Sequence, residues 1–184
     1  MSDKVNTACI LGEAFYRKST LEVARQLIGK TLCRAYDNGV VQRLSIGEVE
    51  AYDGFEDKAS HAHKGRTERN APMFDAGGRW YIYLCYGVHW MLNIVTGDKD
   101  YPAAVLIRGA GTLSGPGKLT RALSIDKSFN DQPAMPISKL WIEDAPSIDE
   151  ANVARFPRIG VSYAGPHWAA QHYRFKRVFT CRES

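Results

Sequence analysis

Two pairs of strand-forming runs, each joined by a tight turn, constrain this chain more than any other feature. Thr31 to Tyr36 and Val40 to Tyr52 flank Asp37-Asn38-Gly39, and an Asn-Gly step supplies the positive φ that a short hairpin needs. In "WYIYLCYGVHWMLN", Trp80 to Asn93, Tyr81, Tyr83 and Cys85 alternate with Trp80, Ile82 and Leu84, and Tyr86-Gly87 falls at the turn. Arg79–Cys85, His89–Val95 and Ala103–Arg108 are rich in the aromatic and branched residues that suit a pleated surface. The middle of the chain therefore reads as a curved, mostly antiparallel sheet. Helices flank it. Ser19-Thr20-Leu21-Glu22 has the form of a capping box, and Leu21, Ala24, Leu27 and Ile28 follow at helical spacing until Gly29. A second, short helix is expected after Gly115-Pro116-Gly117, with free N–H groups suited to an anion. Residues 126–145 read as irregular, and 158–161 and 173–179 as late strands. The fold class is α+β. At 184 residues, roughly 70% of the unfolded chain's surface can be buried in one core, so residues 1–184 are expected to form a single compact domain.

Composition excludes several function classes. Hydrophobic residues make up 45% and charged residues 24%, the balance of an ordinary globular protein rather than a disordered or fibrous one. Cys9, Cys33, Cys85 and Cys181 form no C-x-x-C pair, so neither a zinc ribbon nor a disulfide framework is expected. No apolar run approaches the ~20 residues of a membrane span, and no leader pattern opens the chain, so the expectation is a cytoplasmic protein, neither exported nor anchored. The net charge of +4 favours a nucleic-acid partner only weakly. Its distribution says more: from Ala151 onward Arg155, Arg158, Arg174, Lys176, Arg177 and Arg182 face the single acid Glu183.

Period-2 geometry puts Glu48, Glu50 and Tyr52 on one face of their strand. Two carboxylates and a phenol on one face suit proton transfer, and Tyr86, at a strand tip beside glycine, suits an exposed wedge. His61-Ala62-His63 lacks a third ligand at a familiar spacing, so no metal is expected. There is no G-x-S-x-G, P-loop or dinucleotide fingerprint. The chemistry must therefore come from carboxylate, histidine, tyrosine and arginine, groups able to activate water against an electron-poor carbon. Two readings are open on these residues alone. One is a sugar glycosidase with Glu48 and Glu50 as its dyad, their same-face spacing of roughly 7 Å lying between retaining and inverting separations. The other is a noncatalytic nucleic-acid module with Tyr81, Tyr83 and Tyr86 as a stacking platform.

Collinear elements point to a third reading. "EVEAYDGFEDKASH", "GRTERNAPMF", "GGRWYIYLCYGVHWMLNIV", "AAVLIR", "GPGKLTRALSI" and "RIGVSYAG" together resemble the alkyladenine DNA glycosylase family, also called methylpurine DNA glycosylase, from about Phe15 to Phe175. The resemblance implies a monofunctional base-excision enzyme without a cofactor, monomeric, acting on double-stranded DNA that contains damaged purines. A eukaryotic source would imply a nuclear location. Residue by residue, it implies that Glu50 is the base that activates water and that Arg108 stands beside that water and the backbone phosphate. Tyr52, His61 and Tyr83 become the walls that stack on a flipped base. Tyr86 becomes the wedge that fills the gap, and Asn93 the residue that crowds guanine's exocyclic amine. His89 departs from the tyrosine of vertebrate members, and after "RIGVSYAG" only Trp168 and the Arg174-Phe175 pair match the family's ending. Lys58 and Lys64 are the only lysines near the first motif, and nothing marks either as a Schiff-base nucleophile.

Overall fold

The computed structural model describes residues 10–178. The Asn-Gly turn folds as the sequence predicts: β1 (Thr31–Ala35) and β2 (Val41–Asp53) pair antiparallel, with Ala35 opposite Val41 and Gly39 at φ 82°. The second hairpin joins β3 (Trp80–Cys85) to β4 (His89–Val95), with Cys85 opposite His89. Tyr86 and Gly87 sit at φ 50° and 69°, the paired positive φ angles of a turn whose twist matches the strands it joins. A side chain at Tyr86's φ is uncommon and marks a strained position.

Further strands are β5 (Ala103–Ala110), β6 (Leu113–Ser114), β7 (Leu140–Glu143), β8 (Val153–Phe156) and β9 (Arg174–Arg177). They form one open antiparallel sheet in the order β3-β4-β5-β2-β1-β7, with β6 on β5, β9 on the far half of β2, and β8 on β9. The centre of this arrangement is β2. Its first half pairs with β1, its second half with β9, and its other edge with β5. The α-helices among the described residues are α1 (Glu13–Tyr16), α2 (Thr20–Leu27), α3 (Pro116–Ala122) and α4 (Gly165–Ala169). Val23, Ala24 and Leu27 of α2 enter a core with Ile46, Val49 and Ala51 of β2, Trp80, Ile94, Val105 and Ile107. Because β2 alternates, burying Val49 and Ala51 under α2 turns Glu48, Glu50 and Tyr52 to its other face. No helix among the described residues is long and apolar enough to cross a membrane. Cys33 and Cys85 are free thiols; Cys9 and Cys181 lie outside the described residues.

Three local expectations are corrected and a fourth is only shortened. The capping box does not close: Ser19 makes no side-chain cap bond, and Glu22 instead accepts from Gln26 and pairs with Lys18. The segment 126–145 is not irregular throughout, since Leu140–Glu143 forms β7 by antiparallel pairing with β1, a tertiary partner that local pattern cannot reveal. Residues 158–161 form a loop rather than a strand, the strand lying earlier at Val153–Phe156. The late strand is Arg174–Arg177, with Phe179 outside the described residues.

The loop that follows β2 is fixed by a buried ion pair. Arg158 Nη1 and Nη2 donate to Asp57 Oδ2 and Oδ1 at 2.5 and 2.8 Å, and Nη1 also donates to the Ala51 carbonyl at 2.8 Å. Both side chains are fully buried. Asp57 in turn accepts from the Asp53 and Ala59 backbone amides, and Arg158 lies 4.8 Å from the Tyr52 ring centroid and 5.1 Å from that of Tyr173. The pair thus joins β2, its loop and the C-terminal segment. Removing one partner strands a buried charge, so Asp57→Ala is expected to cost about 3–5 kcal/mol, with the Asp57→Ala/Arg158→Leu double variant distinctly less destabilised. Denaturant unfolding of the three proteins checks this; a double variant as unstable as the single one would contradict it.

Candidate active site

Two adjoining cavities open on the face of β2 opposite the core. The inner pocket is walled by Tyr52, His61, Tyr81, Tyr83, Asn93 and Tyr163, with Ala59, Met73 and Ala104 completing its lining. An open groove shares Tyr52, His61, Tyr83 and Tyr163 and adds Glu50, Arg108, Arg69 and Tyr86. The seven residues singled out from the sequence therefore converge here: Glu50 and Tyr52 from β2, His61 from its loop, Tyr83 and Tyr86 from the β3 end, Asn93 from β4 and Arg108 from β5.

Glu50 is 0% exposed, so its oxygens must be satisfied inside the protein. Oε2 accepts from the Tyr52 hydroxyl at 2.9 Å and Oε1 from the Ile159 amide at 2.8 Å, while Arg108 Nη1 stands 3.4 Å from Oε1. Burial, and then the adjacent Glu50 charge, push the Tyr52 phenol far up in pKa. It remains a proton donor to the carboxylate. Glu50 is thus aimed by three groups from three segments.

The aromatic walls are also cross-braced. His61 Nδ1 lies 3.1 Å from the Tyr81 hydroxyl, and its ring meets Tyr83 edge-on, with centroids 4.5 Å apart at 68°. Tyr81 and Tyr83 are 5.3 Å apart and tilted by 33°. Arg69 lies 5.3 Å from the Tyr83 centroid and holds the Leu84 carbonyl. The loop bearing His61 is pinned by Asn70 Nδ2, which donates to the His61 and Gly65 carbonyls. Asn93 is buried, with Nδ2 donating to the carbonyls of Tyr81 at 3.0 Å and Met91 at 3.3 Å; that leaves its Oδ1 the free polar end. Tyr86 is 93% exposed, projecting from the hairpin tip into solvent.

Several site residues were not singled out by sequence reasoning. Tyr163 donates to the Ala59 carbonyl at 2.8 Å and closes the pocket's rim. Ile159 contributes only its backbone amide, and Asp57 and Arg158 act from behind the pocket. The signals available were the motifs "GFEDKASH" and "RIGVSYAG", whose charged members had no assigned partner. His63, by contrast, turns away and bonds the Phe55 carbonyl at 2.7 Å, and no group of three metal-ligating side chains occurs among the described residues. The basic C-terminal segment is not a solvated arm. Arg158 is consumed by Asp57, Arg174 pairs with Glu48, and Arg155 stacks over Phe175; Arg182 lies outside the described residues.

Comparison with known proteins decides the family. The family model described as "Methylpurine-DNA glycosylase (MPG)" matches residues 14–113 and 110–178. The chain belongs to the methylpurine-DNA glycosylase family. It is 46% identical over 172 residues to a protein of Anaeromyxobacter dehalogenans (strain 2CP-C) named "Putative 3-methyladenine DNA glycosylase", covering 90% of this chain and 82% of that one. Proteins of the same name from Methanocella arvoryzae and Clostridium botulinum are 42% and 38% identical. Those matches cover 90% and 84% of this chain, and 91% and 89% of the relatives.

Burial first, and Arg69 second, lower the His61 pKa, so at neutral pH the ring is uncharged and can accept the Tyr81 proton at Nδ1. With the folded pKa below the unfolded one, the unfolded chain binds more protons as pH falls below about 6.5. Stability contributed by His61 is then lost. Between about pH 7 and pH 5.5, wild type is expected to lose stability more steeply than His61→Asn in denaturant titrations. Equal slopes would contradict a buried neutral imidazole.

Proposed function

We propose that this glycosylase removes damaged purines from duplex DNA, 3-methyladenine and 7-methylguanine foremost, by extruding the nucleotide and hydrolysing its glycosidic bond with a Glu50-activated water. The single observation that carries this reading is a fully buried carboxylate, held by a phenol and an amide, where a wide open groove meets an aromatic pocket. A duplex hides its glycosidic bonds, so reaching one costs a few kcal/mol of stacking and pairing. Tyr86, exposed at the hairpin tip, would offset that cost by filling the vacated stack.

Purines methylated at N3 or N7 are cationic, and electron-rich ring faces attract cations by roughly 0.5–2 kcal/mol. Tyr52 and Tyr83 offer such faces, beside a His61 that adds no positive charge of its own. Asn93, its amide nitrogen committed to the backbone, would crowd the exocyclic amine of guanine and turn the normal base away. In the reaction the water oxygen attacks C1′, its proton passes to Glu50, and the glycosidic electron pair leaves with the base. A cationic base becomes neutral as it departs, so one general base suffices. Hypoxanthine and ethenoadenine leave as anions unless protonated, and are expected to be slower. Among the residues lining the pocket and groove there is no lysine, which supports a monofunctional hydrolase that stops at the abasic site.

Neither alternative gains support. Glu48 lines a separate cleft rather than the pocket, so it is badly placed as the acid of a glycosidase dyad. A binding module has no need of a buried carboxylate beside its stacking rings. The test is base release from a panel of lesion duplexes, alongside a chromogenic glycoside. The expected result is release of 3-methyladenine and 7-methylguanine with no action on the glycoside; tight duplex binding without release of any base would overturn the proposal.

A further inference from the structure

Glu48 stands on the same face of β2 as Glu50, is 8% exposed, and has no part in the reaction as derived so far. The β2–β5 ladder shifts register on both sides of it, between Ile46 and Glu48 and between Glu48 and Val49. Such bulges re-aim side chains next to active sites. Here the bulge puts Glu48 against three cations: Oε1 accepts from Arg108 Nε at 3.3 Å and from Arg174 Nη1 at 3.1 Å, and Lys176 Nζ lies 3.9 Å from Oε2. Arg108 then spans the two acids, its Nε on Glu48 and its Nη1 3.4 Å from Glu50. Among the described residues its guanidinium pairs with no other group.

We infer that Glu48 is a positioning residue that holds Arg108 in place beside the reacting water. This rests on the roles proposed above for Glu50 and Arg108. An arginine has a flexible stem, and a guanidinium held by one contact of 3.4 Å can swing away or settle fully onto the carboxylate. Gripping the Nε edge from behind removes that freedom, since the planar fork fixes the direction of Nη1 once Nε is held. Glu48 is itself anchored from the far side by Arg174, which stacks over Phe156 and donates to the Pro157 carbonyl. The chain of contacts therefore runs from the C-terminal strand to the reaction centre, and Glu48 touches neither pocket nor groove.

A double-mutant cycle on single-turnover release of 7-methylguanine tests this, with Glu48→Gln, Arg108→Gln and the combination. A residue acting through Arg108 should slow release by ~10-fold in the wild-type background and by less than ~2-fold once Arg108 is gone, with affinity for the lesion duplex unchanged. A merely structural role would slow both backgrounds equally, or lower the thermal midpoint instead, and would overturn the inference while leaving the proposed function standing. Release unaffected by Arg108→Gln would overturn the role of Arg108 and this inference together. Should Glu48→Gln fail to fold, Arg174→Gln enters the same cycle, with the same dependence on Arg108 expected.

Discussion

The Asp57–Arg158 pair is the contact on which the site's geometry depends. Two fully buried charges are costly to desolvate, and their mutual attraction offsets that only with close geometry and further hydrogen bonds. Both conditions hold: two short N–H···O contacts, a third donation to the Ala51 carbonyl, and two backbone amides on the carboxylate. What the pair yields is placement rather than stability. It brings the segment after β8 against the end of β2, so that the very next residue, Ile159, presents its amide to Glu50. It also sets a guanidinium over the Tyr52 ring, orienting the phenol that bonds the other oxygen of Glu50.

The same economy runs through the rest of the site. Glu50, Tyr52, Tyr83, Asn93 and Arg108 sit on strands of the central sheet, a frame that fixes their relative positions. Glu50 and Arg108 are neighbours on adjoining strands β2 and β5. His61 and Tyr163 come from loops, one pinned by Asn70, the other tied to the Ala59 carbonyl. Tyr86, 93% exposed, projects from its turn into solvent.

Much of this was legible in the sequence, and the boundary has physical causes. Turn signals and runs of aromatic or branched residues placed β1 to β5, the last buried along almost its whole length, and alternation gave β2 its two faces. It placed Glu48, Glu50 and Tyr52 on one face, but could not choose between the two acids; only resemblance to a family singled out Glu50. β7 and β8 escaped because four-residue strands depend on their partners more than on their own pattern. Ile159 escaped because a backbone amide has no residue signature. Arg158 looked like part of a basic tail because charge in a sequence says nothing about the distant acid that neutralises it.

The central claim is that Glu50 performs the chemistry while the surrounding aromatics perform the recognition. The most direct measurement is Glu50→Gln, which keeps the shape and an acceptor oxygen for the Ile159 amide. Single-turnover release of 7-methylguanine and affinity for the same duplex are measured side by side. The account predicts affinity close to wild type and release slowed by about 100-fold or more; release near the wild-type rate would show that another group activates the water.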